Sequence, residues 1–350
     1  MELSTGVHKM SLGQPPVGRG PPCMKCKGAC AGFQPHPWRK SCELCRCPRE
    51  AHTLPNEVDG DHRIGQLLSD TRYSGLTARV KGGDGLRVYK RNRMIITNPI
   101  TSRKDPTFLT VTYEWAPPGL NQKLAMRYME LIPKKLQPLA GTEGAHYRRV
   151  QLLRQLPPYD YDPAHCRGLA EGERPAMAAF VKQHKESAMG VAEVALPGTF
   201  KVEEKKPSAE TTANGTEECN GKTDYLCELC QQLMPGDAPA VYSDRAGTKK
   251  QWHPACFVCY QCREPLVNLI HFWKNSRLWC GRHYCEGERP RCAGCDEIIF
   301  SEDYRQLDGK SWHKEHFSCL VCEQPLTEHP NVLESGQLTC VACSKDKAAH

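Results

Sequence analysis

Apolar residues recur at helical spacing at three places in the middle of this chain of 350 residues. Leu124, Tyr128 and Leu131 are spaced by four and three, and their stripe stops at Pro133. Val150, Leu153 and Leu156 form a second stripe, ended by Pro157 and Pro158. Met177, Phe180, Val181 and His184 form a third, with Gly190 placed as a C-terminal cap. Each stripe predicts a short helix that packs one face into a core. The flanks read differently. Residues 1–22 carry Gly, Pro and little apolar content, which predicts a flexible tail. Residues 191–224 hold the charged run Lys201 to Pro207 and then a Ser/Thr/Gly/Asn-rich stretch, which predicts a solvated linker joining halves that move independently.

Composition favours several small domains over one deep core, since only 39% of residues are hydrophobic and there are 27 Pro and 28 Gly. The 21 cysteines decide the class. Met1 to Gly20 contains no apolar secretory core, and no apolar run reaches the ~18 residues of a membrane span, so the expectation is a soluble intracellular chain. In a reducing compartment, Cys pairs accompanied by His read as zinc ligands rather than disulfides, and the Asn214-Gly215-Thr216 sequon reads as a chance match.

From residue 227 the ligand pattern is regular. Cys227, Cys230, His253 and Cys256 are followed by Cys259, Cys262, Cys280 and His283; a second octet follows as Cys292, Cys295, His313 and His316, then Cys319, Cys322, Cys340 and Cys343. This is an internal repeat of about 60 residues. Two ligands separated by two residues sit on one tight turn and aim at one ion, and a second such pair closes the tetrahedron. Four complete quartets predict four Zn2+ ions with no coordination position open to substrate, so the expectation is structural metal and no enzyme. Trp252 and Trp312, with Phe257 and Phe317, are the expected small core between the hairpins. Cys166, Cys219 and Cys285 fall outside every quartet and read as free thiols, although Cys285 could stand in for His283.

A second cluster lies near the N-terminus, where Cys23, Cys26, Cys30, His36, Cys42, Cys45, Cys47 and His52 supply eight donors within thirty residues. They suffice for two tetrahedral ions, or for one ion with spare thiols. His36 is the least secure ligand of the set. The formal charge of +7 counts every thiol as neutral. Twelve thiolates and four dications in the repeats lower it to about +3, and a loaded N-terminal cluster to about +1. Such a chain has no electrostatic reason to bind nucleic acid directly. Lys90-Arg91-Asn92-Arg93 could belong to a basic import signal or to a solvated strand end, and Lys249, Lys250 and Arg282 read as a solvated face.

The two octets resemble the LIM domain twice over, at all eight ligand positions of each copy, with His316 where most members have Cys. The order does not match RING-type ligase domains, and His313-Lys314-Glu315 lacks the Pro-Cys-x-x-Cys of a zinc deaminase. Thr112-Tyr-Glu-Trp-Ala-Pro-Pro-Gly119, Gly141-Thr-Glu-Gly-Ala-His-Tyr-Arg148 and Gln155-Leu-Pro-Pro-Tyr-Asp160 resemble the PET domain of the prickle and testin proteins. The resemblance implies a multidomain chain: tail (1–22), cysteine-rich zinc module (23–52), mainly α-helical PET region (60–190), linker (191–224) and two zinc-stabilised β-hairpin LIM domains (225–287 and 290–350). It also implies a protein-interaction adaptor, a transcriptional cofactor that restrains transcription factors such as GATA-class zinc-finger proteins and is found in cytoplasm and nucleus. The alternative it implies is an actin-associated or sarcomeric scaffold.

Overall fold

A computed structural model describes residues 21–26, 30–52, 57–80, 85–100, 107–199, 225–247, 250–327, 330–334 and 337–348. Lys249, Cys219, the Lys201–Pro207 run, the sequon and most of the expected tail and linker lie outside these residues. Residues 1–55 and 56–350 form two compact units.

Among its described residues the first unit contains little regular structure: isolated bridges Cys23 to His52, Pro35 to Cys42 and Ser41 to Pro48, and a single turn of 3-10 helix at Arg49–Ala51. Its buried side chains among the described residues are those of Cys30, Cys42, Ala51, His36, Arg39 and His52. An interior made of sulfur and imidazole fits a segment too poor in apolar residues to fold without metal.

The second unit opens with α1 (Glu57–Leu68), which packs on the antiparallel pair β1 (Thr77–Arg79) and β2 (Arg87–Tyr89). Gly65 permits this approach, because a Cβ there would lie 2.4 Å from the Arg87 carbonyl oxygen. Then β3 (Met94–Ile100) and β4 (Thr107–Tyr113) pair antiparallel, from Met94 opposite Tyr113 to Ile100 opposite Thr107. Arg91 is no import signal on a free surface: its side chain is buried and pairs with Asp61 at 3.2 Å.

The three apolar stripes correspond to α2 (Gln122–Glu130), α3 (Glu143–Gln155) and α4 (Arg174–Ser187). Asn121 and Thr142 cap the first two by accepting the N–H of Leu124 and Ala145. Burial departs from the stripes, however. On α2 the buried residues are Ala125, Tyr128 and Met129, while Leu131 is 47% exposed beyond the helix end. On α3 they are Gly144, Ala145, Arg148, Gln151 and Gln155, with Val150 and Leu153 only half-buried. The polar face is inside because it meets the backbone and a side-chain amide of the first LIM repeat. Gln155 donates from Nε2 to the Pro265 carbonyl (2.7 Å) and accepts the Val267 N–H (2.9 Å), and Arg148 Nε donates to Asn268 Oδ1 (2.9 Å). Buried backbone groups need such partners.

Gly190 is not a helix cap. The helix ends at Ala188, and Gly190 lies in β5 (Met189–Val191), where a Cβ would stand 2.5 Å from His271 Nε2. After β5 comes β6 (Glu193–Ala195). The first repeat contributes β7 (Ala240–Tyr242), β8 (Gln251–Trp252), β9 (Ile270–Lys274), β10 (Arg277–Trp279) and α5 (Gly281–Glu286). The second contributes β11 (Tyr304–Leu307), β12 (Lys310–His313), β13 (Asn331–Glu334), β14 (Gln337–Cys340) and α6 (Val341–Ala348). The sheets run β6-β7-β8 and β10-β9-β5, so the segment expected to open the linker instead supplies the third strand to both hairpins of the first repeat. Nor are the halves independent, because one continuous apolar cluster runs from Leu67, Met129 and Met177 to Trp252, Phe257 and Phe272. No helix among the described residues is long and apolar enough to cross a membrane.

Two histidines sit in that cluster. Ser243 Oγ lies 2.6 Å from His271 Nε2, and His271 Nδ1 lies 3.2 Å from the Leu269 carbonyl, an arrangement that fixes a neutral ring donating from Nδ1. Burial pulls His271 down to about 4 and His184 to about 3 from an ordinary 6.5. Because the unfolded chain takes up protons first, their contribution is complete above the ordinary value and is lost as pH falls towards these depressed values. For His271 the full loss is on the order of 3 kcal/mol. Imidazole nitrogen shifts of the zinc-loaded protein should show His271 still neutral at about pH 5, below its ordinary titration range; a ring half-protonated near its ordinary value would contradict this.

Candidate metal centres

A single backbone device recurs at five Cys-x-x-Cys pairs. In Cys227–Cys230 the N–H of Cys227 donates to the Gln232 carbonyl, the N–H of Gln231 returns to the Cys227 carbonyl, and Gln231 takes φ +57°. The pairs starting at Cys259, Cys292 and Cys319 repeat both hydrogen bonds, with Arg263, Asp296 and Glu323 at φ +60°, +65° and +61°. Cys42–Cys45 does the same through Arg46 at φ +58°. A non-glycine residue held in this region is uncommon. Five in equivalent places mark a turn shaped to aim two sulfurs at one point, and they place the N-terminal module in the same structural class as the repeats.

The remaining donors close the quartets. Cys230 Sγ and Cys256 Sγ lie 3.4 and 3.9 Å from His253 Nδ1, and Cys259 and Cys280 lie 3.6 and 3.1 Å from His283 Nδ1. In the second repeat, Cys292 is 3.7 Å from His316 Nδ1, Cys295 is 3.4 Å from His313 Nδ1, and the two imidazoles approach at 3.2 Å. In the last quartet Cys322 and Cys340 stand 3.9 Å apart, with the thiols of Cys319 and Cys340 against Cys343. Around a tetrahedral zinc with Zn–S near ~2.3 Å, sulfurs lie about 3.8 Å apart, so these edges fit the ion. Hard oxygen donors are missing from the sets, which also suits zinc. One thiol in each of two quartets is unusually acidic: Cys259 is drawn down to about 3, chiefly by a hydrogen bond with Cys280, and Cys292 to about 2, chiefly by Cys295. His283, not Cys285, joins its quartet. Cys285 is buried in the apolar cluster, which raises its thiol well above the ordinary range. Cys166 Sγ instead donates to the Tyr159 carbonyl at 3.2 Å.

In the N-terminal module the structure gathers Cys23, Cys26, Cys30 and Cys45, and also Cys30, Cys42, Cys45 and His52. His52 Nδ1 sits 3.1 Å from the Pro48 carbonyl, which orients the ring and leaves Nε2 to face the sulfurs, as metal-bound histidines are commonly held. Cys47 lies against Cys23 and Cys45. His36 is buried, but its Nδ1 accepts the backbone N–H groups of Trp38 and Arg39 at 3.4 and 3.2 Å.

The four repeat sites differ in cover. Cys230 and Cys322 are exposed, whereas Cys292, Cys295, His313 and His316 are all buried. The PET loop covers this third site: the N–H groups of Arg167 and Gly168 donate to Glu297 at 2.7 and 2.8 Å, and a Cβ on Gly168 would lie 2.9 Å from His316 Cε1. The face read as solvated is partly used as well. Arg282 is bound to Asp296 at 2.6 Å and Lys250 to Glu228 at 3.0 Å. Under a chelator, zinc should leave the third site last, and Gly168→Val should speed that release at least several-fold while leaving the first site unchanged. Stopped-flow zinc release from the two proteins checks this; equal rates would show that the loop does not shield the ion.

Comparison with known proteins agrees with this architecture. The PET domain model matches residues 94–195, and the LIM domain model matches 227–288 and 292–348. The chain is 59% identical over 356 residues to LIM and cysteine-rich domains protein 1 of Sus scrofa, covering 99% of this chain and 98% of that protein. It is 58% identical to the Homo sapiens protein of the same name over 357 residues, with the same coverage. Testin of Xenopus tropicalis is 46% identical over 354 residues, covering 98% of this chain and 83% of testin. LIM domains bind zinc and mediate protein–protein contacts, and the gathered donors fit that ion. The chain therefore belongs to the family of PET and LIM domain proteins that includes LIM and cysteine-rich domains protein 1 and testin.

Proposed function

We propose that this chain is a non-enzymatic adaptor that acts as a transcriptional cofactor, binding and restraining transcription factors such as GATA-class zinc-finger proteins, and that it works in both cytoplasm and nucleus. The observation that supports a docking role is the difference between the repeats. Both hairpins of the first are completed by β5 and β6, whereas β11–β12 and β13–β14 are two-stranded among the described residues. A two-stranded ribbon offers backbone donors and acceptors to a partner strand. Partner binding is therefore assigned to the second repeat, with the first committed to the PET region.

The test is capture of a GATA-class zinc-finger domain by zinc-loaded full-length protein, followed by hydrogen exchange of the complex. Protection should rise in β11–β14 and not in β7–β10; a folded protein that captures no such domain would sink the proposal. The 46% identity to testin across 98% of this chain and 83% of testin, together with the family resemblance to actin-linked members, favours a second reading as a cytoskeletal scaffold. Accumulation on stress fibres or sarcomeric discs without nuclear protein would select it.

A further inference from the structure

We infer that the N-terminal module holds a two-zinc cluster whose ions share cysteine thiolate, with Cys30 and Cys45 as the bridging positions. Two closed tetrahedra need eight coordination positions. The structure gathers two quartets, Cys23, Cys26, Cys30 and Cys45, and Cys30, Cys42, Cys45 and His52, so six donors fill the eight positions and two sulfurs serve both ions, with Cys47 packed against Cys23 and Cys45.

The geometry identifies which. Cys30 and Cys45 belong to both gathered quartets. Cys30 Sγ lies 3.6 Å from Cys26 Sγ and 3.7 Å from His52 Nε2, so it forms a tetrahedral edge towards each side of the cluster. Cys45 Sγ lies 3.6 Å from His52 Nε2, and the Cys42–Cys45 turn commits both of its sulfurs to that same side. Cys45 is also in contact with Cys30 and Cys47, which connect it to the other. A thiolate sulfur has lone pairs enough to bind two ions, whereas an imidazole nitrogen has one. Sharing therefore falls on cysteine.

His36 is the donor that, with Cys47, would make sharing unnecessary. Its Nδ1 instead accepts the Trp38 and Arg39 N–H groups, and its ring stands edge-on to Trp38 with centroids 5.2 Å apart. It is a structural residue of the turn before Cys42.

The full-length chain reconstituted with spin-active cadmium should bind six ions, four in the LIM repeats and two here. Two of the six cadmium resonances should split one another through the common sulfur. His36→Ala should keep six ions and the splitting. Cys30→Ser should drop the count from six to four by native mass spectrometry, because one substitution opens both tetrahedra. Five ions in the unaltered protein, six without mutual splitting, or loss of an ion from His36→Ala would each overturn the cluster. The count and the splitting are read on unaltered protein, so the inference stays testable even if Cys30→Ser fails to fold.

Discussion

Asp160→Ala is expected to cost about 3–5 kcal/mol of stability, the range seen when one partner of a buried ion pair is removed. Arg291, just before the first ligand of the second repeat, reaches back to the PET region and donates to both Asp160 carboxylate oxygens, at 2.8 and 2.7 Å. The two side chains are 7% and 4% exposed. Burial raises the Asp160 carboxyl above its ordinary value even though Arg291 pulls the other way, so the pair contributes a fixed geometry more than surplus energy. Losing the carboxylate leaves a guanidinium with Glu286 at 2.8 Å, the Asp296 carbonyl at 2.6 Å and the Arg282 carbonyl at 3.5 Å, too few partners for its five desolvated donors. The double change Asp160→Leu with Arg291→Met should recover most of the loss, since neither charge then remains buried. Denaturant unfolding of the zinc-loaded proteins decides the matter. A single-variant cost below about 1 kcal/mol would mean that water reaches the pair as at a surface.

A fragment beginning at residue 225 is the second large expected effect. It keeps all sixteen LIM donors and loses β5 and β6, which pair with β9 and β7. Met189, Val191 and Val194 are at most 6% exposed, and they cover strands carrying Val241, Ile270 and Phe272. At about 1.5–3 kcal/mol for each buried aliphatic side chain, the fragment should lose on the order of 5 kcal/mol relative to one beginning at residue 188. Amide exchange should be faster throughout β7–β10 and unchanged in β11–β14. Equal protection in the two fragments would show that the first repeat needs no help from the PET region.

The gathered cysteine pairs were legible in the sequence because the chemistry dictates the spacing: two sulfurs on one turn require two residues between them. The residue that follows each pair was not legible. Gln231, Arg263, Asp296, Glu323 and Arg46 share a backbone conformation and nothing else, since the turn imposes the angle whatever the side chain. The helices were found by their apolar period, but the period misjudged α3, whose inner face is Arg148, Gln151 and Gln155. Gln155 satisfies backbone groups, and Arg148 a side-chain amide, contributed from more than a hundred residues away, and no local pattern reports this. The strands β5 and β6 were missed for the same reason. Each is three residues long, and Gly190, read as the end of a helix, is there because His271 leaves no room for a side chain.

The donated strands also bear on what a single cut in the chain would do. Cleavage anywhere between residues 199 and 225 leaves β5 and β6 on one piece and the sheets they complete on the other. The pieces should therefore co-purify as a complementing pair, held by backbone pairing and a common interior rather than by a peptide bond. A protease acting in that interval would release nothing, and a domain-shuffling event that moved the LIM repeats alone would carry away an unfinished sheet.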